Sequence, residues 1–292
     1  VFRRLLSKEF LARVWSRVIE DRVLDRCAQL SYYFLLSLFP LLFFLTTLFG
    51  YFAGTGSHLQ RKLMTYLGSV IPGSALRLVS ATIEEVIAAR GTGKLSFGIL
   101  AALWAASSGI NALGQALNGA YKVPETRPWW KVRLISVALT VALAVLIVSA
   151  LLIVLYGGRL GHFLFAAFHE GHPFKITWKI LQWPIALTFV FLAFGLIYQF
   201  APNLPAKRRG GRLPKSDFRR RWLSPGVFVA VLLWLMVSLG FRLYLHFFNS
   251  YSATYGSLGA LIILMLWFYL TGAAILIGGE VNCELESHAS PD

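Results

Sequence analysis

Arg242, His246 and Asn249, with Ser238 one turn earlier, fall in one sector of a helical wheel inside an otherwise apolar run. A guanidinium fixed beside hydroxyl, imidazole and amide groups in a low-dielectric setting is chemistry for receiving an anion, such as a headgroup phosphate or a carboxylate. Two other apolar runs carry similar stripes. Ser108, Asn111, Gln115 and Asn118 recur three or four apart on one face, and Gln29, Tyr33, Ser37 and Thr47 repeat the device. Polar groups at such positions are costly in lipid, so each must face protein, water or a ligand. Two readings follow: the stripes converge on a polar cavity, or they hydrogen-bond between helices and Arg242 snorkels toward an interface. Glu280, directly after Gly278 and Gly279, is either a proton-coupling carboxylate or an interfacial acid paired with an arginine of a basic segment.

Other chemistries lack their residues. Cys27 and Cys283 form no CxxC pair and read as packing residues, and the loose set His162, His169, Glu170 and His172 is a poor metal-ligand pattern, so no metal or other cofactor is expected. No GxxxxGK[ST] phosphate loop occurs, since Gly91-x-Gly93-Lys94 is too short, and transport driven by a bound nucleotide is not indicated. No pair of acids with a nucleophile lies within the apolar runs. The chain is therefore read as a non-enzyme.

The elements that must position these residues are six long runs: 27–53, 95–121, 134–158, 180–201, 222–248 and 255–279. Each meets the roughly 20 residues that a helix needs to cross a hydrocarbon core. None alternates in polarity as a barrel strand would, and only a helix satisfies its own backbone in lipid. Composition agrees: 57% of residues are hydrophobic, 14% are charged and mean hydropathy is +0.64, too little polar surface to wrap a soluble core of this size. The expected fold is all-α, a polytopic membrane protein with six transmembrane helices. Pro40 and Pro184 within the runs permit bends.

The net charge of +15 would suggest nucleic acid in a soluble protein, but its distribution explains it otherwise. Seven Lys and Arg precede the first run, four lie in Lys122–Arg133 and eight in Lys207–Arg221; the intervening connections hold five, three and none. The positive-inside bias places both termini and those basic connections in the cytoplasm, with no nucleic-acid partner. Residues 1–26 form a basic amphipathic segment, with Leu6, Phe10, Val14 and Val18 on one face and Arg3, Arg13 and Arg17 on another, as for a helix lying in anionic headgroups. Residues 27–284 form the transmembrane domain and 285–292 a cytoplasmic tail. Leu59–Val70 and Leu76–Ile87, parted by Pro72-Gly73, predict an extracytoplasmic helical hairpin between the first two spans.

The stretches AQLSYYFLLSLFPLL (Ala28–Leu42), WAASSGINALGQALNGAYKVPETRPWWKVR (Trp104–Arg133), RWLSPG (Arg221–Gly226) and YGSLGALIILMLWFYLTGAAILIGGEVN (Tyr255–Asn282) resemble the YihY/BrkB family of bacterial inner-membrane proteins. The resemblance covers about Ala28 to Glu284. It implies six helices with cytoplasmic termini in the inner membrane, and a family name linked to serum resistance and virulence in some members. A zinc ribonuclease label attached to the family does not carry over, because an HxHxDH cluster is needed to bind metal and activate water and the chain has no His-x-His. The function expected is a transporter or flippase-like carrier of an amphipathic anionic, lipid-derived or other molecule, bound between the first, second and fifth spans. The alternative is a non-transporting scaffold in envelope biogenesis. Membrane lipids are the expected partners, with a second copy of the chain or an envelope protein as further candidates.

Overall fold

The computed structural model describes residues 7–53, 65, 93–168, 173–204, 207–208, 211–212, 224–247 and 251–288. Among them are helices α1 (Lys8–Glu20), α2 (Val23–Ala53), α3 (Gly93–Ala120), α4 (Trp129–Phe168), α5 (Pro173–Phe200), α6 (Pro225–Phe247) and α7 (Tyr251–His288). A two-residue antiparallel ladder, β1 (Lys207–Arg208) with β2 (Gly211–Arg212), is the remaining element. Among the described residues four segments are long and apolar enough to cross a membrane: Trp129–Val154, Leu181–Phe200, Pro225–Leu245 and Leu261–Glu286. The expected runs at 27–53 and 95–121 lie in α2 and α3. The hairpin expected over Leu59–Ile87, the residues His169, Glu170 and His172, and most of the basic connection 207–221 lie outside the described residues, apart from Thr65 in the first.

The chain divides into two compact units. One comprises Val1–Leu38, Ser107–Leu139 and Phe194–Asp292, the other Phe39–Ala106 and Thr140–Ala193. In the second, α5 runs through Pro184, and Thr188 Oγ1 donates to the Pro184 carbonyl at 2.9 Å.

The first unit holds the chemistry. Ser7 caps α1, its Oγ accepting from the Phe10 N–H at 3.3 Å, which satisfies one of the orphan donors of a first turn. The inner face of α1, Phe10 and Val14, packs on Val281 of α7, with Val229 and Leu285 against the same cluster. The face expected to lie in headgroups is thus spent on the protein. Leu11, Trp15 and Ile19, spaced by four on the other side, are the large apolar residues that this helix exposes.

Two corners then turn the chain with non-glycine residues in the left-handed region, Arg22 at φ 49° and Lys122 at φ 52°. At the end of α3 the Val123 N–H reaches the Asn118 carbonyl (2.9 Å) and the Lys122 N–H that of Gly119 (3.1 Å), the paired bonds of a Schellman turn. Lys122 Nζ lies 3.5 Å from Asp21 Oδ1, so the two corners are tied by an ion pair.

α6 starts at Pro225, whose missing N–H costs nothing in a first turn. It packs backbone to backbone on α7: a Cβ on Gly226 would collide with the Gly278 carbonyl, and one on Gly278 with Tyr198 Oη and the Gly226 carbonyl. The Gly226 N–H donates to Asn282 Oδ1 at 2.8 Å, so a polar contact as well as glycines fixes this crossing, while Tyr198 Oη of α5 donates to the Ile275 carbonyl of α7.

Candidate functional site

The charged centre of the first unit is built where α7 meets α1 and the two corners. Glu284, 3% exposed, accepts from Arg13 Nε at 2.8 Å through Oε1 and from Arg17 Nε at 2.7 Å through Oε2. Arg17 Nη1 also reaches Cys283 Sγ at 3.2 Å. One turn back on the same face stands Glu280, 0% exposed, with neither carboxyl oxygen in a hydrogen bond among the described residues. Of the two roles expected for Glu280, pairing with arginine is taken by Glu284 instead. Arg26 points its Nε at the Asp21 carbonyl (2.9 Å) and its Nη1 at the Ala116 carbonyl (3.4 Å), against Gly119, where a Cβ would collide with the guanidinium.

A second network joins the ends of α3 and α5 to the connection after α3. Asn118 Nδ2 donates to Glu125 Oε2 (2.9 Å) and its Oδ1 accepts from the Asn203 N–H (2.6 Å). Asn203 Nδ2 donates to the Pro124 carbonyl and to Thr126 Oγ1. Arg127 grips Glu125 through Nε and Nη2 and caps the last turn of α5 through the Phe200 and Ala201 carbonyls. The hydrogen bond from the Arg127 side chain holds the Glu125 carboxyl below its usual range.

Against this network lies a shallow recess lined by Asn111, Gln115, Glu125, Arg127 and Ser136, among others. Its interior has space for about one water molecule. Asn111 Oδ1 is buried there without a partner among the described residues. So the structure brings Asn111, Gln115 and Asn118 to one place.

The other sequence-derived candidates stand elsewhere. Ser108 Oγ accepts from Arg133 Nη1 at 3.2 Å, and Ser37 Oγ donates to the Phe34 carbonyl of its own helix at 3.1 Å. Gln29 and Tyr33 are exposed, as is Arg242, which stands on α6 beside the exposed Leu239 and Leu243. Ser238 Oγ is buried without a partner among the described residues. The side chains of Thr47 and His246, and the whole of Asn249, lie outside the described residues. Among the described residues no group of three or more His, Cys, Asp or Glu forms a metal cluster. Cys27 and Cys283 are free thiols.

Sequence reasoning passed over Glu284, Asp21, Asn282 and the Glu125–Arg127 pair. Glu284 shares the face of Glu280 at a spacing of four, and Arg13 and Arg17 repeat that spacing; this match of acid and base periodicities was the available signal.

Long apolar helices carrying a buried ion pair and interhelical polar contacts define a helical membrane protein. The chain belongs to the family described as virulence factor BrkB, whose model matches residues 14–292. It is 37% identical over 276 residues to the putative ribonuclease-like protein YfkH of Bacillus subtilis strain 168, covering 94% of each chain. It is 24% identical over 295 residues to a UPF0761 membrane protein of Xanthomonas campestris pv. campestris strain 8004, covering 97% of this chain and 62% of that one. No solved structure matches.

Proposed function

We propose that this membrane protein is a multi-pass carrier of an amphipathic anionic molecule in the bacterial inner membrane, with both termini in the cytoplasm. The observation that carries this reading is Glu280: a fully buried carboxyl on a membrane-spanning helix, without a hydrogen-bond partner among the described residues and within the field of Arg17, Arg26 and Lys122. Ionisable groups inside spans are expensive and are retained chiefly where an ion, a substrate or water uses them. Basic residues at this end, together with Arg127, supply the field that gathers anionic headgroups. The packing of α1 on the end of α7 supports an even number of crossings between them. Asn111, Gln115 and Asn118, with Gln29, Tyr33, Ser37, Ser238, Arg242, His246 and Asn249, are the proposed ligand contacts. The recess holds about one water, so loading requires helices to part. The reading is non-enzymatic; the ribonuclease-like name is that of the Bacillus relative.

One observation favours the scaffold reading. Arg242 is exposed next to the apolar stripe of Leu232, Met236, Leu239 and Leu243, the placement of an arginine that snorkels to headgroups rather than one that lines a hollow.

Proteoliposomes containing a fluorescent anionic phospholipid, with quenching of the outer leaflet, separate the two. Carriage predicts exchange between leaflets faster than in protein-free vesicles and slower in Arg242→Ala. Exchange no faster than in protein-free vesicles overturns carriage of that lipid class; exchange unchanged in Arg242→Ala removes Arg242 from the mechanism.

A further inference from the structure

Several charges act on Glu280, yet among the described residues it is bonded to none of them. Asp21 faces it from the α1–α2 corner, Arg17 from α1, Arg26 from α2 and Lys122 from the end of α3, while Cys283 shares its helix. Each cation is engaged elsewhere: Arg17 with Glu284 and Cys283, Arg26 with the Asp21 and Ala116 carbonyls, Lys122 with Asp21 Oδ1. An ionised carboxylate here would surrender its hydration and gain no hydrogen-bond donor, whereas the neutral acid avoids most of that cost.

Asp21 is placed differently. Its side chain is 13% exposed, Oδ1 is held by Lys122, and Oδ2 is buried without a partner among the described residues. It is therefore a partly exposed acid whose charge acts on the buried one.

We propose that Glu280 is a proton-binding site, loaded and unloaded through Asp21 on the side of the protein where α1 lies. In loading, a hydronium ion in water gives its proton to the Asp21 carboxylate, and Asp21 passes a proton to Glu280 and returns to its anionic form. In unloading, the Glu280 O–H bond breaks, the proton leaves by the same route and a carboxylate remains. That carboxylate competes with Glu284 for Arg17 one turn away, so proton release loosens the attachment of α1. The site deepens the carrier reading, for which it supplies the coupling ion, but its own existence does not depend on transport.

The test reads the carboxyl directly. The full chain, with side-chain carboxyls of Glu labelled with 13C, is placed in lipid nanodiscs and followed by infrared difference spectroscopy through pH steps. A protonated-carboxyl band is expected at neutral pH, lost in Glu280→Gln, kept in Glu284→Gln and indifferent to replacing sodium with choline. Asp21→Asn is expected to slow its exchange in heavy water several-fold. Should Glu280→Gln fail to fold, the wild-type band and its retention in Glu284→Gln decide the matter. A neutral-pH spectrum showing only ionised glutamate, or a band that follows sodium rather than pH, overturns the proposal. Leaflet exchange absent with the band present overturns carriage alone; exchange present with the band absent overturns the proton site alone.

Discussion

Glu280 and Glu284 lie one helical turn apart on the same face of α7, and the two carboxyls meet opposite surroundings: Glu284 is held by two guanidiniums, Glu280 by no donor among the described residues. Both are buried. The difference is one of reach, since Arg13 and Arg17 are themselves one turn apart on α1 and converge on a single acid. That acid binds the first described helix to the last. The other is left with a charge it cannot easily express.

Glu284→Ala should release α1. Removing the acid leaves two guanidiniums without their partner, which costs about 1–3 kcal/mol, less than for a fully buried pair because the Arg13 side chain is 46% exposed. Hydrogen exchange over 8–20 should rise in nanodiscs while α6 stays protected. Unchanged protection of α1 would mean that Phe10, Val14 and Val281 hold the helix by themselves.

The α6–α7 crossing makes a sharper prediction about two glycines. Gly278→Ala places a methyl against Tyr198 Oη, the Gly226 carbonyl and Ala230, and should destabilise by about 1–3 kcal/mol. Gly240→Ala, with nothing within 4 Å of the added carbon, should be neutral or stabilising by up to about 1 kcal/mol. Comparable losses in the two variants on thermal denaturation in detergent would refute this packing.

Asn282→Ala removes the acceptor of the Gly226 N–H at the start of α6 and the donor to Tyr121 Oη. A loss of about 1 kcal/mol is expected, as for other helix-start caps. Asn282→Asp should restore part of it, because a carboxylate still accepts the bond and suits a helix N-terminus.

Acid should loosen the connection after α3. The Glu125 carboxyl is held below its usual range by the Arg127 hydrogen bond, with Asn118 adding to the effect. A lowered folded value means that the bond stabilises fully above the ordinary carboxylate range, about pH 4.3, and that this contribution is lost as pH falls through the lowered value. Exchange of the Arg127 amide, which donates to Glu125 Oε1 at 3.0 Å, should rise on acidification. Glu125→Gln should remove the pH dependence; a variant with the wild-type profile would assign it to another group.

The helices were legible because lipid-length apolar runs admit few other solutions, and Pro225 marked the start of α6 through chemistry local to the chain. The membership was legible as well, since the quoted motifs span almost the whole chain, as does the BrkB family match. The site was less so. A helical wheel shows which residues share a face but not which helix covers it: the stripe of Asn111, Gln115 and Asn118 found the Glu125–Arg127 connection, while Arg242 was left exposed.

What the sequence by itself determined is the hydrophobic periodicity and length of each run, a property of consecutive residues and their solvent. What only the tertiary structure decided is the pairing of charges more than 260 residues apart, Arg13 and Arg17 with Glu284. The physical reason is range: burial preference is written locally, but an ion pair depends on distances of a few ångströms that packing alone sets. A shift of one turn would have given those arginines to Glu280 and left Glu284 as the unpartnered acid.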